Sequence, residues 1–217
     1  MAAEASLRRF YDHEYHFESD VERPHPNRLW KALRDLEPLE GTDFLDLGGG
    51  VGWGAHLART RGRVRRAVSF DFSRTAIELG RRSTEGIRWV QGDGTALPFP
   101  GGTFHRALSF GSLEHFPDVP AALRELHRVL VPGGRAALVV PNFYVRTEQP
   151  QERTERRAGW RRLVEEAGLV ADAVGADLGP PVLGTASLVR RTLRLGGKLA
   201  SLVPGLQYQF IFVVHRP

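Results

Sequence analysis

The sequence predicts an α/β protein, with helices on both faces of a doubly wound and largely parallel sheet. Two observations carry this prediction. Short apolar runs alternate with amphipathic segments of helical period along most of the chain. The run at residues 43–47 leads directly into a turn rich in glycine and then into a helical pattern, which is typical of the opening of a nucleotide-binding βαβ unit.

The composition is that of a globular protein of one domain. The chain has 217 residues, of which 41% are hydrophobic, enough for a sizeable core. The absence of cysteine excludes disulfide bonds, thiolate metal sites and cysteine nucleophiles. No metal site is predicted, because the histidines and acids lack ligand spacing. The sequence shows neither a long apolar run nor a secretory signal, so we expect no membrane span and a cytoplasmic protein.

The formal net charge of +5 raises the question of a nucleic-acid partner. The basic residues are nearly all arginine and are spread over many segments, with only Lys31 and Lys198 as lysines. This distribution favours a solvated basic surface over a nucleic-acid interface. A nucleic acid is therefore not the expected partner.

Residues 1–42 are expected to form an N-terminal lid or helical segment. Residues 10–17 (FYDHEYHF) crowd aromatic and histidine side chains together. They fit a lid over a binding site, a helix packed on the core or a disordered leader, and these alternatives stay open. Residues 27–36 carry apolar side chains at helical spacing and predict a helix, which Pro38 and Gly41 end.

A glycine-rich turn follows the first strand, with Gly48, Gly49, Gly50 and Gly52 inside five residues. Glycine accepts the backbone angles of such a turn and lets a ligand lie against the main chain. The turn alone would fit a dinucleotide fold equally well. Asp46 argues against that fold, because a carboxylate there would repel a pyrophosphate. It favours a ligand that has a cationic end and no phosphate.

Two further strands are followed by acidic residues. Asp71 comes about twenty residues after the glycines, where an acid commonly binds ribose hydroxyls, and a carboxylate can accept both protons. Asp71 could instead cap the next helix, although Ser73 is the better N-cap. Asp93 stands between small residues after the third strand, which leaves an open pocket at that edge.

The remaining pattern completes the sheet and its helices. Strands are predicted at residues 64–70, 87–91, 104–110, 135–140, 169–176 and 207–215, and helices at 53–59, 73–82, 119–131 and 158–167. The sequence Pro132-Gly133-Gly134 is interpreted as a helix stop before strand five. Residues 142–157 form a polar loop or lid. The basic amphipathic segment 178–205 fits a helix packed on the sheet, a substrate cover, a dimer contact or a membrane-surface helix.

Several stretches together resemble the class I S-adenosylmethionine-dependent methyltransferases, and in particular a methyltransferase type 11-like domain. The sequence from Asp46 to Gly52 is similar to their first motif. Residues 95–99 resemble their Ala-x-Leu-Pro-Phe stretch, residues 113–118 their Leu-Glu-His-x-x-Asp segment, and residues 128–134 their Arg-Val-Leu-x-Pro-Gly-Gly sequence. The motifs fall between residues 43 and 142, in the expected order and spacing.

This resemblance implies a Rossmann-like, doubly wound, seven-stranded sheet whose last strand is antiparallel. The methyltransferase domain would cover residues 43–217, with 178–206 as an insertion before the last strand. The cofactor would be S-adenosyl-L-methionine, with its methionine part at the glycine turn above Asp46, its ribose on Asp71 and its adenine by Asp93. The full predicted set of cofactor-binding residues is Tyr15, Asp46, Gly48, Gly50, Gly52, Asp71, Phe72, Asp93, Gly94, Thr95 and Phe110.

His115 is the predicted catalytic residue, as a general base beside the transferable methyl. Its alternative role is to fix the turn by hydrogen bonds. The predicted function is methyl transfer to a small molecule, such as a specialised metabolite, a sugar or a lipid-like compound, on oxygen, nitrogen or carbon. An RNA methyltransferase, a nicotinamide oxidoreductase and a non-catalytic cofactor-binding protein are the alternatives, and monomer or homodimer stays open.

Overall fold

The computed structural model describes residues 10, 12, 26–143, 152–177 and 208–217. In chain order its elements are α1 (Pro26–Arg34), β1 (Asp43–Leu47), α2 (Trp53–Thr60), β2 (Arg66–Asp71), α3 (Arg74–Ser83), β3 (Ile87–Gln91), β4 (Phe104–Phe110), a 3-10 helix (Leu113–His115), α4 (Val119–Val129), β5 (Leu130–Pro141), α5 (Arg157–Glu166), β6 (Val170–Asp177) and β7 (Gln209–His215). None of the helices in these ranges is long and apolar enough to cross a membrane. The predicted insertion at residues 178–206 lies outside the described residues.

The strands form one seven-stranded sheet in the order β3-β2-β1-β4-β5-β7-β6. The pairs among β1 to β5 are parallel, and β7 pairs antiparallel with both β5 and β6. The predicted fold class is therefore confirmed. The strand order reverses between β1 and β4, so the carboxyl ends of these strands open a crevice in which such sheets bind their ligands.

The core has one hydrophobic cluster on each face of the sheet. Side chains along β1 point to alternate faces of the sheet and contribute to both clusters. Phe44 belongs to one cluster, whereas Leu45 and Leu47 belong to the other. Helices α1 and α2 contribute to the Phe44 side, and α4 and α5 cover the opposite face. Both faces of the sheet are thereby covered beneath its carboxyl edge.

The prediction for the start of strand five was wrong. Helix α4 ends at Val129, and Leu130 is already extended and pairs with Phe104. The Pro-Gly-Gly sequence lies inside β5 as an irregularity, where the register with β4 shifts and Gly133 adopts a positive φ of 73°. The Gly133 N–H donates to the Arg216 carbonyl at 2.8 Å, so contact with the far end of the chain holds this bulged segment in the sheet.

Candidate active site

The glycine turn between β1 and α2 adopts backbone angles that favour glycine. Gly48, Gly50 and Gly52 have φ values of 69°, 56° and 78°, in the left-handed region. The N–H groups of Gly48 and Gly49 both donate to the Phe70 carbonyl, at 2.8 and 3.0 Å. The turn is thus fastened to the end of β2, and the backbone of α2 begins at the carboxyl edge of the sheet.

Asp46 lies beneath this turn, buried with 3% of its surface exposed. Its Oδ2 accepts a hydrogen bond from the Ala55 N–H at 2.8 Å. Burial raises the pKa of Asp46 to about 7, against the lowering effect of that backbone hydrogen bond. A Cβ on Gly54 would lie 2.6 Å from Oδ2, so glycine there makes room for the carboxyl group. Asp46 therefore orders the turn and the start of α2, and direct contact with a ligand stays a prediction.

Asp71, at the end of β2, bonds to the same turn from the side. Its Oδ2 accepts from the Gly50 N–H at 2.7 Å and its Oδ1 from the Ser73 N–H at 2.8 Å. Ser73 caps α3, because its Oγ accepts from the Ala76 N–H at 3.1 Å. The choice of Ser73 as the cap is confirmed. Burial raises the pKa of Asp71, and backbone hydrogen bonds oppose the rise.

Asp12 is a residue that the sequence interpretation missed. Its Oδ1 accepts from the Ser73 hydroxyl at 2.6 Å and from the Thr75 N–H at 3.2 Å. Asp12 therefore contacts the start of α3, close enough to Asp71 to raise the pKa of Asp71 further. The only sequence signal for Asp12 was its place in the aromatic segment. The predicted cofactor residue Tyr15 lies outside the described residues, and the lid stays a prediction.

The turn after β3 holds the next predicted residues. The Asp93 Oδ1 accepts from the Thr95 N–H at 2.8 Å, which closes the turn around Gly94. A Cβ on Gly94 would overlap the Phe116 ring, and a Cβ on Gly48 would lie 3.5 Å from that same ring. Phe116, which the sequence interpretation missed, thus packs between the glycine turn and the Asp93 turn and brings them together. Phe72, directly after Asp71, accepts at its carbonyl from the Gln91 side chain at 3.2 Å.

The carboxyl end of β4 meets the glycine turn through Ser112. The Ser112 hydroxyl donates to the Gly48 carbonyl at 2.6 Å, which ties the 3-10 helix to the turn. Phe110 ends β4 and is half-buried, with the Arg28 guanidinium 5.3 Å from its ring centre. That cation–π contact places α1 beside the end of β4.

Glu114 and His115 occupy the 3-10 helix. Glu114 is buried with 3% exposed, and its Oε1 lies 3.9 Å from the His115 Nε2. Burial raises the pKa of Glu114 to about 8, and burial also lowers the pKa of His115. Both side chains are therefore largely neutral near pH 7. A neutral imidazole can accept a proton, which suits the predicted role of His115 as a base.

A chain of contacts thus joins the described site residues, from Asp12 through Asp71, the glycine turn and Ser112 to the 3-10 helix. All lie at the carboxyl edge of the strands, where the sequence predicted the site. Within the described ranges, no three acidic or histidine side chains converge in a way that could hold a metal ion. The site offers backbone donors, carboxyl groups and one imidazole.

Comparison with known proteins gives the site a context. Residues 45–138 match the family described as methyltransferase domain. The 2-phytyl-1,4-naphtoquinone methyltransferase of Thermosynechococcus vestitus is 40% identical over 119 residues, which cover 52% of this chain and 53% of that protein. The chain spans about half the length of the curated relatives it matches.

Solved structures share the fold over nearly the whole chain. A chain from the complex of the Haloferax volcanii Trm112 methyltransferase activator with a methyltransferase has a TM-score of 0.81 at 20% identity, covering 95% of this chain and 97% of that one. The geranyl diphosphate C-methyltransferase of Streptomyces coelicolor, solved with Mg²⁺, geranyl diphosphate and S-adenosyl-L-homocysteine, has a TM-score of 0.77 at 13% identity, covering 100% and 99%. At these identities the likeness establishes the fold.

Proposed function

The chain carries a class I S-adenosylmethionine-dependent methyltransferase domain, and on this premise we propose that it transfers a methyl group from S-adenosylmethionine to a small-molecule acceptor. The observation that carries the proposal is the contact of Asp71 with the glycine turn, 2.7 Å from its Oδ2 to the Gly50 nitrogen. A carboxyl group beside the turn suits a nucleoside with free ribose hydroxyls. The family match and the sheet support S-adenosylmethionine as the cofactor.

Each group of the site has a part in this proposal. The glycine turn would receive the methionine end, Asp71 the ribose and the Asp93 turn the adenine. Bound S-adenosylmethionine would supply an electrophilic methyl on a sulfonium. Positioning an acceptor in line with that methyl can contribute up to ~7–11 kcal/mol in favourable cases. His115, at the carboxyl end of β4, would take the proton that the acceptor loses.

The proposed acceptor is a hydroxylated aromatic ring of the quinol kind. The support for this choice is the name of the Thermosynechococcus relative, a naphthoquinone methyltransferase. It also agrees with a site whose acceptor-side groups, Glu114 and His115, are largely uncharged near pH 7. An uncharged ring loses little solvation energy when it enters such a site.

Calorimetry tests the cofactor, and methyl transfer tests the acceptor. We expect S-adenosylhomocysteine to bind the purified chain with measurable heat, whereas NADH gives none. We then expect methyl label from S-adenosylmethionine to appear on 1,4-dihydroxynaphthalene. Binding of NADH without binding of S-adenosylhomocysteine would overturn the proposal in favour of a nicotinamide oxidoreductase.

A second candidate is a methyltransferase that works with an activator protein. The Haloferax neighbour, which was solved with the Trm112 activator, favours it. On this alternative the chain alone would transfer no methyl to 1,4-dihydroxynaphthalene or to RNA, and purified Trm112 would restore activity. Full activity of the isolated chain would contradict it. RNA affinity that collapses with salt would favour RNA as the acceptor.

A further inference from the structure

Glu114 is a buried acid for which the fold supplies few partners. Its carbonyl accepts from the Arg153 N–H at 2.8 Å, so the backbone at Arg153 lies beside the 3-10 helix. The side-chain Oε2 is buried and has no hydrogen-bond partner among the described residues. Buried polar groups without a partner are rare and call for an explanation, of which a ligand is one.

No cationic side chain among the described residues forms an ion pair with the Glu114 carboxyl group. The guanidinium of Arg153 is directed to Glu155, 3.2 Å from its Nη2 to Oε1. The groups that face Glu114 are His115 on its own helix and Glu152 on the segment above, and the charge of Glu152 raises the pKa of Glu114 further. Burial is the larger cause, and together they raise that pKa to about 8. At neutral pH the side chain is therefore mainly a carboxylic acid that can donate a hydrogen bond.

The position of this acid is at the acceptor side of the site. Glu114 follows Ser112, which is bonded to the glycine turn, by two residues. Gly111, directly after β4, lies beside it, and a Cβ there would lie 3.8 Å from the Glu114 Oε1. Apart from Phe110 at the end of β4, the described groups assigned to the cofactor lie at or directly after the ends of β1, β2 and β3, and Glu114 lies on the β4 side, next to His115.

We propose that Glu114 recognises the methyl acceptor, donating a hydrogen bond from its neutral carboxyl group to an acceptor oxygen while His115 takes the acceptor proton. This rests on the proposed methyl-transfer function and names the acceptor as an uncharged hydroxylated or oxo-bearing ring. The acceptor gains a bond to the methyl carbon as the carbon–sulfur bond breaks, and the electron pair stays on sulfur. The acceptor proton passes to His115, and Glu114 keeps its own proton.

Binding measurements on matched variants test this role. The probe is 1,4-dihydroxynaphthalene, titrated into protein saturated with S-adenosylhomocysteine. We expect Glu114→Ala to weaken probe binding by about tenfold or more, since a buried hydrogen bond is lost. Glu114→Gln keeps an N–H donor of similar shape and should stay within about threefold of the wild type. Glu78→Gln, on the exposed side of α3, is the control and should match the wild type.

The pH profile separates recognition from a structural role. Wild-type probe binding should fall as pH rises through about 8, where Glu114 ionises, and Glu114→Gln should lack this fall. The inference would be overturned by any of three results: equal losses of probe binding in the Gln and Ala variants, unchanged probe binding in Glu114→Ala, or no probe binding by the wild type. In those cases S-adenosylhomocysteine still binds. Failure of S-adenosylhomocysteine itself to bind would instead defeat the proposed function.

Discussion

The Asp71 carboxylate and the Gly50 N–H, 2.7 Å apart, connect the end of β2 to the glycine turn after β1. One oxygen of a single acid therefore orders the turn while the other accepts from the Ser73 N–H. Any ligand that contacts Asp71 competes with or extends these bonds. If Asp71 binds the ribose as proposed, the shape of the turn and the binding of the ribose are coupled through one side chain.

Replacement of Asp71 should accordingly weaken the binding of the cofactor more than it lowers the stability of the fold. Asp71→Ala removes a carboxyl group that accepts hydrogen bonds from the Gly50 and Ser73 N–H groups, so we expect S-adenosylhomocysteine to bind roughly 10- to 100-fold more weakly by calorimetry. Asp71→Asn keeps one acceptor oxygen and should lose less. Glu40→Ala, in an exposed ion pair with Arg63, is the control. An Asp71→Ala variant with wild-type affinity would remove this residue from the site.

A second prediction concerns Gly54 in the first turn of α2. Alanine in place of a helical glycine normally stabilises by about 1 kcal/mol. Here the added Cβ would lie 2.6 Å from the Asp46 Oδ2, so we expect Gly54→Ala to lower the free energy of unfolding by ~1–3 kcal/mol in urea titrations.

The control for this substitution is Gly175→Ala in β6. A Cβ at that position meets its nearest atom, in Ile211, at an ordinary 3.7 Å. The control should change stability by no more than about 0.5 kcal/mol. If Gly54→Ala proves as stable as the wild type, then Asp46 is free to move and does not brace the turn.

The stability of the protein should depend on pH through Glu114. Its pKa is raised from 4.5 to about 8 on folding, so its neutral form is favoured in the folded state. The stability that this group contributes is fully present below about pH 4.5 and is lost as pH rises through about 8. Between these two pH values the free energy of unfolding falls by up to ~1.4 kcal/mol per pH unit.

Comparison with Glu114→Gln isolates Glu114 between pH 7 and 8. Asp46, whose pKa is raised to about 7, and Asp71, whose pKa is also raised, are present in both proteins, so their contributions cancel in the comparison. Urea titrations at these two pH values should show a fall for the wild type and a much smaller one for Glu114→Gln. Equal slopes for the two proteins would mean that Glu114 is already ionised at pH 7.

Local patterns were sufficient to predict most of the fold. The apolar run of β1, the glycine turn and the helix after it are contiguous in sequence, so their structure could be inferred from neighbouring residues. The start of β5 could not be inferred in this way. The hydrogen bond from the Gly133 N–H to the Arg216 carbonyl joins residues more than eighty positions apart, and it holds a Pro-Gly-Gly sequence that is typical of a helix end inside a strand.

The site residues also divide into those that local sequence patterns indicate and those that depend on contacts between distant parts of the chain. Asp46, Asp71 and Asp93 could be proposed as site residues because each stands at or near the end of its own strand. The Glu114 carbonyl accepts a hydrogen bond from the Arg153 N–H, and the charge of Glu152 raises the pKa of Glu114, although both residues follow β5 in the chain. The contact of Asp12 with Ser73 spans 61 residues. Partners of this kind leave no periodic signal in the chain.

The contact of Asp12 with α3 leads to the last prediction, which concerns how the cofactor leaves. Asp12→Ala removes the acceptor from the Ser73 hydroxyl and the Thr75 N–H, whereas Ser73 still accepts from Ala76 and caps the helix. We therefore expect faster dissociation of S-adenosylhomocysteine in stopped-flow measurements, by several-fold, with a change of less than about 1 kcal/mol in the free energy of unfolding. Asp12→Asn keeps the acceptor oxygen and should behave as the wild type. If Asp12→Ala loses stability but releases S-adenosylhomocysteine at the wild-type rate, the N-terminal segment braces α3 and does not cover the cofactor.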